Sequence, residues 1–247
     1  MINGDTDFNA KIERLNEFID GGNNIVFFGG AGVSTESGIP DFRSAGGLYG
    51  DKSLGIPPER ILSHSYFISE TERFYDFYRK NILHLDAEPN RAHIKLAELE
   101  KAGKLKAVIT QNIDGLHQKA GSENVIELHG SVYRNYCVNC KKAYGVGHIA
   151  GSSRIPVCNC LGVIKPDVVL YEESLDQDVI QKAVDCVSAA DVLIIGGTSL
   201  VVYPAAGLVR YYGGAKLVII NMSETGDDDR AALVIRGPIG EVLGAVK

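Results

Sequence analysis

The sequence predicts an α/β fold, with a mostly parallel, helix-flanked sheet and a second, smaller domain. Three observations predict it. Short β-branched runs recur at 25–28, 107–110, 125–128, 168–170, 192–195 and 217–220, with the composition of strands buried on both faces. Amphipathic stripes lie between them: Ala92, Leu96 and Leu99 between Pro89 and Gly103, and Val179, Ile180, Ala183, Val184 and Val187 further on. Glycine or short polar turns follow most of the runs, as expected where a strand hands over to a helix.

Two stretches break the alternation. Residues 44–85 crowd Tyr66, Phe67, Phe74, Tyr75, Phe77 and Tyr78 without a strand pattern, and 132–163 are short, Gly- and Cys-rich and aperiodic. They are expected to form the smaller domain, as a helical module (44–85) and a metal-binding module (132–163). Residues 1–43, 86–131 and 164–247 are expected to form the larger one. A chain of 247 residues needs no disulfide staples, because it buries roughly 70–75% of its unfolded surface.

Composition excludes several functions. The net charge is −6 with no run of basic residues, which argues against nucleic acid as a partner. The start is polar and acidic, and the apolar run 192–195 stops at Gly196-Gly197, so neither a signal peptide nor a membrane span is expected. A cytoplasmic monomer is the expectation.

Four of the five cysteines form two close pairs, Cys137/Cys140 and Cys158/Cys160. In a chain with no sign of secretion, four thiolates point to one structural Zn2+ rather than to disulfides. The second pair has one intervening residue, which tightens its turn. Cys186 falls on a helical stripe and reads as core, and His148 as a solvated loop residue.

Five polar turns, and the loop that continues the first of them, carry the chemistry. Gly29-Gly30-Ala31-Gly32-Val33-Ser34 follows the first run and is expected to open a short helix whose N–H groups can hold a pyrophosphate, although Thr35 breaks the strict dinucleotide fingerprint. Gly38-Ile39-Pro40-Asp41-Phe42-Arg43 places an acid, an aromatic ring and a guanidinium in one constrained loop. Gln111-Asn112-Ile113-Asp114, after 107–110, offers amides and an acid for ribose and carboxamide. His129-Gly130 closes 125–128, where a histidine is placed for general-base work near neutral pH. Gly197-Thr198-Ser199 and Asn221 end two further runs; Asn221 stands where an acid commonly meets the adenine ribose. Turns after different strands converge on one crevice.

Together and in this order, these motifs, the four cysteines and Pro166-Asp167-Val168-Val169-Leu170 resemble the sirtuins, the NAD-dependent protein lysine deacylases, from about Asn24 to Leu243. The resemblance implies a Rossmann-type NAD domain, a small domain of helical and zinc modules, and NAD and acyl-lysine meeting in the cleft between them. It implies that the acyl oxygen attacks C1′ of the nicotinamide ribose and that a histidine then draws a proton from a ribose hydroxyl. The products are free lysine, nicotinamide and O-acetyl-ADP-ribose.

Carried over by position, His129 would be the base and Asn112 its catalytic companion. Gly30, Ala31, Gly32, Thr35, Asp41, Phe42, Arg43, Gln111, Ile113, Asp114, Thr198, Ser199, Asn221 and Ile239 would hold NAD, with Phe42 shielding the ribose carbon. Val168, Val169, Leu170 and Tyr171 would pair with the substrate peptide as an added strand.

The chain departs from the family pattern at Gly29, where many members have Thr, at Tyr171-Glu172-Glu173 in place of Phe-Gly-Glu, and at Leu161 in place of Gly. Members that prefer succinyl or malonyl groups carry a Tyr and, three residues later, an Arg. Here Tyr78 is followed at that spacing by Asn81, so acetyl is expected over succinyl. Protein ADP-ribosyl transfer would use the same pocket with another acceptor, and the presence of His129 argues for deacylation. A nucleotide sensor would be expected to lack one of Asn112, Asp114 or His129. A zinc-ribbon nucleic-acid binder would need more than the scattered Arg134, Lys141, Lys142 and Arg154.

Overall fold

The computed structural model describes residues 3–42, 44, 46–50 and 55–247, so Arg43, one of the residues expected to hold NAD, lies outside the described residues. Six strands form one sheet in the order β3-β2-β1-β7-β8-β9: β1 (Ile25–Gly29), β2 (Leu105–Thr110), β3 (Val125–Glu127), β7 (Val192–Gly196), β8 (Leu217–Ile220) and β9 (Leu233–Ile235). Every pairing in it is parallel. The strand order turns back between β1 and β7, and the crevice outside their carboxyl ends is where open α/β sheets bind ligands.

Burial explains the unbroken apolar runs. β1, β7 and β8 are buried at every position. Leu15, Ile25, Phe27, Leu96 and Val242 pack in one cluster, which covers one face with α1 (Asn3–Asp20), α5 (Arg91–Lys101) and α9 (Ile239–Gly244). The opposite face is covered by α8 (Gln177–Ala189) and a 3-10 segment, Ala205–Tyr211. α5 and α8 begin on side-chain caps: the Asn90 side chain accepts the Ala92 N–H and that of Asp176 accepts the N–H groups of Asp178 and Val179. Cys186 is half-buried on α8, on the side packed against this core.

The smaller part joins the two aperiodic stretches. α2 (Pro58–Ile61), α3 (His64–Ser69) and α4 (Thr71–Asn81) pack their aromatics on a three-stranded antiparallel sheet, β5-β4-β6, made of β4 (Gly130–Cys137), β5 (Ala143–Gly145) and β6 (Ile164–Val168). Phe74 meets Tyr75 edge-on at 5.3 Å and stacks on Tyr78 at 5.5 Å, so the crowding of aromatics is the core of this unit.

Two expectations change. The run 168–170 is no strand of the main sheet: β6 ends at Val168 and pairs antiparallel with β4, because Gly130 opens β4 directly after His129 and captures Val168 as its partner. The turn after β1 opens no α-helix but two 3-10 turns, Ala31–Val33 and Thr35–Ser37, the second ending on Gly38 at φ 82°. Among the described residues no helix is long and apolar enough to cross a membrane.

Candidate active site

The carboxyl ends of β1 and β7 fit together through glycine. A Cβ on Gly30 would lie 2.8 Å from Thr198 Cβ, and one on Gly32 would lie 2.8 Å from Gly197 Cα. Gly32 N donates to the Gly197 carbonyl at 2.8 Å, which locks the two loops into one floor with room for a pyrophosphate beside it. Thr198 is buried at the edge of that floor. Its hydroxyl accepts from Gln111 Nε2 at 3.1 Å and from Leu200 N at 3.2 Å.

β2 delivers the next group of side chains. Asn112 N donates to Thr110 Oγ1 at 3.0 Å, which turns the chain out of the strand. Asn112 Nδ2 then reaches Ser34 Oγ at 3.0 Å, and Ser34 Oγ donates to Asp114 Oδ2 at 2.6 Å. Asp114 Oδ1 also accepts the Leu116 N–H at 2.9 Å, so the carboxylate is fixed from two sides. Ser34 is 1% exposed and is the hub of this group. It was legible only as the last residue of the glycine turn, because nothing in the sequence says that residues 34, 112 and 114 meet.

His129 stands between β3 and β4. His129 Nδ1 lies 2.9 Å from the Gln111 carbonyl, and the His129 carbonyl accepts Val169 N at 3.0 Å. Burial lowers the His129 pKa below its usual value, and the Gln111 carbonyl opposes that shift. Gly130, at φ 77°, lets β4 start against β6: a Cβ there would sit 1.9 Å from the Asp167 carbonyl.

These residues line one cleft of about 890 Å³, together with Thr35, Asp41, Phe42, Ile113, Val168 to Tyr171, Ser199, Asn221 and Ile239. Of the residues expected to form the site, the described ones all line it, and only Arg43 is outside the description. Phe42 is half-buried and faces the Tyr49 ring at 5.5 Å. Asn221 Nδ2 donates to the Ser223 carbonyl, which leaves its amide oxygen turned to other partners. The helical module closes the far end with Leu62, Tyr78, Asn81, Ile82 and His84. The acidic lining residues are Glu36, Asp41, Asp114, Glu172 and Glu173, and no lysine or arginine joins them among the described residues.

Tyr171 differs in one respect from a free strand edge. Its N–H donates to the Leu62 carbonyl, its carbonyl accepts His64 N and its hydroxyl pairs with that of Tyr49, so the ring face is the part of Tyr171 that these bonds leave uncommitted.

Away from the cleft, the four cysteine sulfurs lie within 4.8 Å of one another. Cys137 Sγ is 3.4 Å from Cys160 Sγ and Cys140 Sγ is 3.5 Å from Cys158 Sγ. Four sulfurs at about 2.3 Å from one zinc stand about 3.8 Å apart, so this set fits the ion. The backbone N–H of Cys140 lowers the Cys137 thiol pKa and that of Cys160 lowers Cys158 to about 6, whereas Cys160, although the Gly162 N–H favours its thiolate, is pushed up to about 12 by the three neighbouring cysteines, so the crowded thiols share the protons that a bound metal would displace. The single-residue spacing is absorbed at Leu161, which takes φ 66°. His148 is exposed on α7 (Val146–Ala150) and stands outside the sulfur cluster.

A family model described as "Sir2 family" matches residues 30–204. The chain belongs to the Sir2 family. A sirtuin relative from Clostridium perfringens, named NAD-dependent protein deacetylase, is 59% identical across 96% of this chain and 98% of its own. Another from Clostridium acetobutylicum, with the same name, is 56% identical over the same shares. Among solved structures, a Sir2 variant with a deacetylated p53 peptide and 3′-O-acetyl ADP-ribose superposes with a TM-score of 0.87 at 42% identity, covering 95% of this chain and 96% of that one. A Sir2–p53 peptide–NAD+ structure gives 0.83 at 43% identity, covering 94% and 95%.

Proposed function

We propose that this sirtuin is an NAD-dependent protein lysine deacetylase, consuming NAD and releasing nicotinamide and O-acetyl-ADP-ribose. One observation carries the reading: His129, with Nδ1 committed to the Gln111 carbonyl, shares its cleft with the Asn112–Ser34–Asp114 relay and the glycine floor.

Bound NAD would supply an activated ribosyl carbon. The chain's own groups do the rest. Gly30 and Gly32, whose N–H groups bond to the Gly196 and Gly197 carbonyls, would form the floor beneath the pyrophosphate, and Ala31 and Thr35 would flank it. Thr198, Ser199, Asn221 and Ile239 flank the adenosine half. Gln111 and Asn112 orient the nicotinamide ribose. Asp114, held by Ser34 Oγ and Leu116 N, accepts from the carboxamide while Ile113 packs beside it. Asp41 and Phe42, which line the cleft, would cover the reactive carbon from the loop side, and Arg43 is proposed to hold NAD from the family resemblance.

Because Nδ1 donates to a carbonyl, Nε2 is the acceptor, and it takes the proton of a ribose hydroxyl at the cleft. The segment 168–171 presents the acyl-lysine peptide to that base, and its link to it is the Val169 N–His129 carbonyl bond. Zn2+ on Cys137, Cys140, Cys158 and Cys160 would be structural, tying β4 to the turn before β6. Because β4 and β6 belong to the small antiparallel sheet, the boundaries expected from the sequence move slightly, and we assign residues 1–43, 86–129 and 169–247 to the NAD domain and 44–85 and 130–168 to the helical and zinc modules. A cytoplasmic monomer that does not engage nucleic acid fits a net charge of −6 and thiols kept for a metal.

The test is incubation with an acetyl-lysine peptide and NAD, with mass spectrometry for nicotinamide, free peptide and O-acetyl-ADP-ribose. His129→Ala should cut turnover by about 10²–10⁴-fold while NAD still binds. Parental turnover in that variant overturns the role given to His129. ADP-ribose on the peptide, with the acetyl group retained, would mean transfer to protein instead.

A further inference from the structure

We infer that Glu172 is a positioning residue that latches the peptide-binding edge to the helical module, an inference that rests on the deacetylase reading above. Glu172 has φ 75°, a left-handed conformation that a side chain of this kind rarely adopts. What holds it there is on another element. Glu172 Oε2 accepts Ser65 N at 2.8 Å and Oε1 accepts Ser65 Oγ at 2.9 Å. Ser65 lies in the first turn of α3, whose leading N–H groups have no partner within the helix. Ser63 Oγ takes the Tyr66 N–H at 3.2 Å, and Glu172 takes the Ser65 one from across the chain.

The neighbouring bonds show what the latch controls. Tyr171 is bridged in parallel to Ser63 through Leu62 and His64. Leu170 N donates to Glu173 Oε2 at 2.8 Å, and Glu173 is held in turn by Lys165 Nζ at 3.0 Å and His64 Nδ1 at 2.8 Å. Val169 N, at the other end, is bonded to the His129 carbonyl. Residues 169–173 are thus a short bridge between the base and α3, and the Glu172 carboxylate ties its outer end. A peptide that adds to a fixed edge does not have to order it first, so a latch of this kind acts on peptide affinity. The Ser65 amide also holds the Glu172 pKa below the usual carboxylate value, so the latch is intact at neutral pH.

The test compares Glu172→Ala, Glu172→Gly, Glu172→Gln and Ser65→Ala with the parent, on two acetyl-lysine peptides that carry a basic or a neutral residue next to the acetyl-lysine. Glu172→Ala should raise the peptide KM about three- to tenfold, less than a hydrogen bond to a charge is worth because the latch acts on the peptide only through the edge it orders, with kcat and the NAD KM within about twofold. Glu172→Gly should raise the peptide KM as well, although it relieves the backbone. Glu172→Gln, whose amide oxygen still accepts from Ser65, should recover most of the affinity. Ser65→Ala should add little on top of Glu172→Ala.

Unchanged peptide KM in Glu172→Ala overturns the latch. So does a Glu172→Gln variant as weak as Glu172→Ala on the basic peptide alone, which would mean a direct charge contact with substrate. Amide hydrogen exchange at 169–171 in the substrate-free protein reads the latch without turnover: it should be faster in Glu172→Ala, and equal rates reject the latch. A parent protein that releases no nicotinamide with the peptide rejects the deacetylase reading instead, and leaves the exchange result to judge the latch.

Discussion

His129 Nδ1 and the Gln111 carbonyl oxygen stand 2.9 Å apart, so the main chain at the end of β2 sets the tautomer of a side chain at the end of β3. The base must be neutral to work, and burial lowers its pKa from 6.5. The sign follows: the neutral form persists to lower pH than in a free imidazole. The acid limb of kcat/KM for acetyl-peptide should therefore fall below about pH 6.5. A limb at pH 7 or above would contradict the burial argument.

Acid should unfold the protein through a different pair. His93 and His117 are buried with ring centroids 4.7 Å apart, and among the described residues neither nitrogen of His117 has a hydrogen-bond partner. Burial holds His93 down to about 4 and, with His93 beside it, His117 to about 3. These folded-state values lie below the unfolded one, so both rings are neutral and cost nothing above about pH 6.5. Between about pH 6.5 and 4 the unfolded chain gains protons that the folded chain refuses. Stability should fall there on the order of 1.4 kcal/mol per pH unit for each histidine. Urea unfolding at several pH values checks the slope, and a His117→Phe variant should flatten it; an identical slope in that variant would assign acid sensitivity elsewhere.

Acyl choice follows from the far end of the cleft. Asn81 lines it and Arg79 does not: Arg79 pairs with Asp76 at 3.0 Å and donates to the Arg154 carbonyl at 3.0 Å, facing the zinc module. With no lysine or arginine among the described lining residues, a succinyl carboxylate would be desolvated without a permanent cation to pair with. We expect kcat/KM for an acetyl peptide to exceed that for the succinyl form by at least about tenfold, since a buried charge left unpaired costs more than 1.4 kcal/mol. Equal values would point to a cation that reaches the cleft, and Arg43 would be the first to mutate.

The zinc module should gain from one substitution. Leu161 is 85% exposed and holds φ 66°, so its side chain has little packing to lose and a strained backbone to relieve. Leu161→Gly should stabilise by about 0.5–1 kcal/mol after glycine's own entropy cost, which is a rise of roughly 1–4 °C in Tm. Cys140→Ser should act the other way, lowering Tm and the zinc content from one per chain by elemental analysis. A lower Tm for Leu161→Gly, or well under one zinc in the parent, would reject these assignments.

Much of this was legible in the sequence, and the gaps have physical causes. β8 matches the expected run residue for residue, and β1, β2 and β7 extend it by one or two, because strands buried on both faces carry unbroken apolar runs. β9 is three residues long, too short to stand out, and α1 begins in polar sequence whose apolar stripe is diluted by charges. β4 alternates poorly because its partner shifts register between Ser131 and Asn135. In the site, residues next to strand ends were visible because the motif and the strand are adjacent in the chain. Ser34 as a hub and Glu172 with Ser65 depend on contacts 78 and 107 residues apart, which local pattern does not encode.

The floor that Gly30, Gly32 and Gly197 build leaves no space for a side chain on either loop. Anyone redesigning this pocket for an altered dinucleotide therefore has two kinds of position to work with. Variation at the three glycines will read out as lost folding whatever cofactor is offered. Variation at Ser199 and Asn221, which line the cleft beyond that contact, can change which nucleotide is chosen. A mutant library that spends its diversity on the second set and leaves the first untouched would sample cofactor preference without sampling collapse.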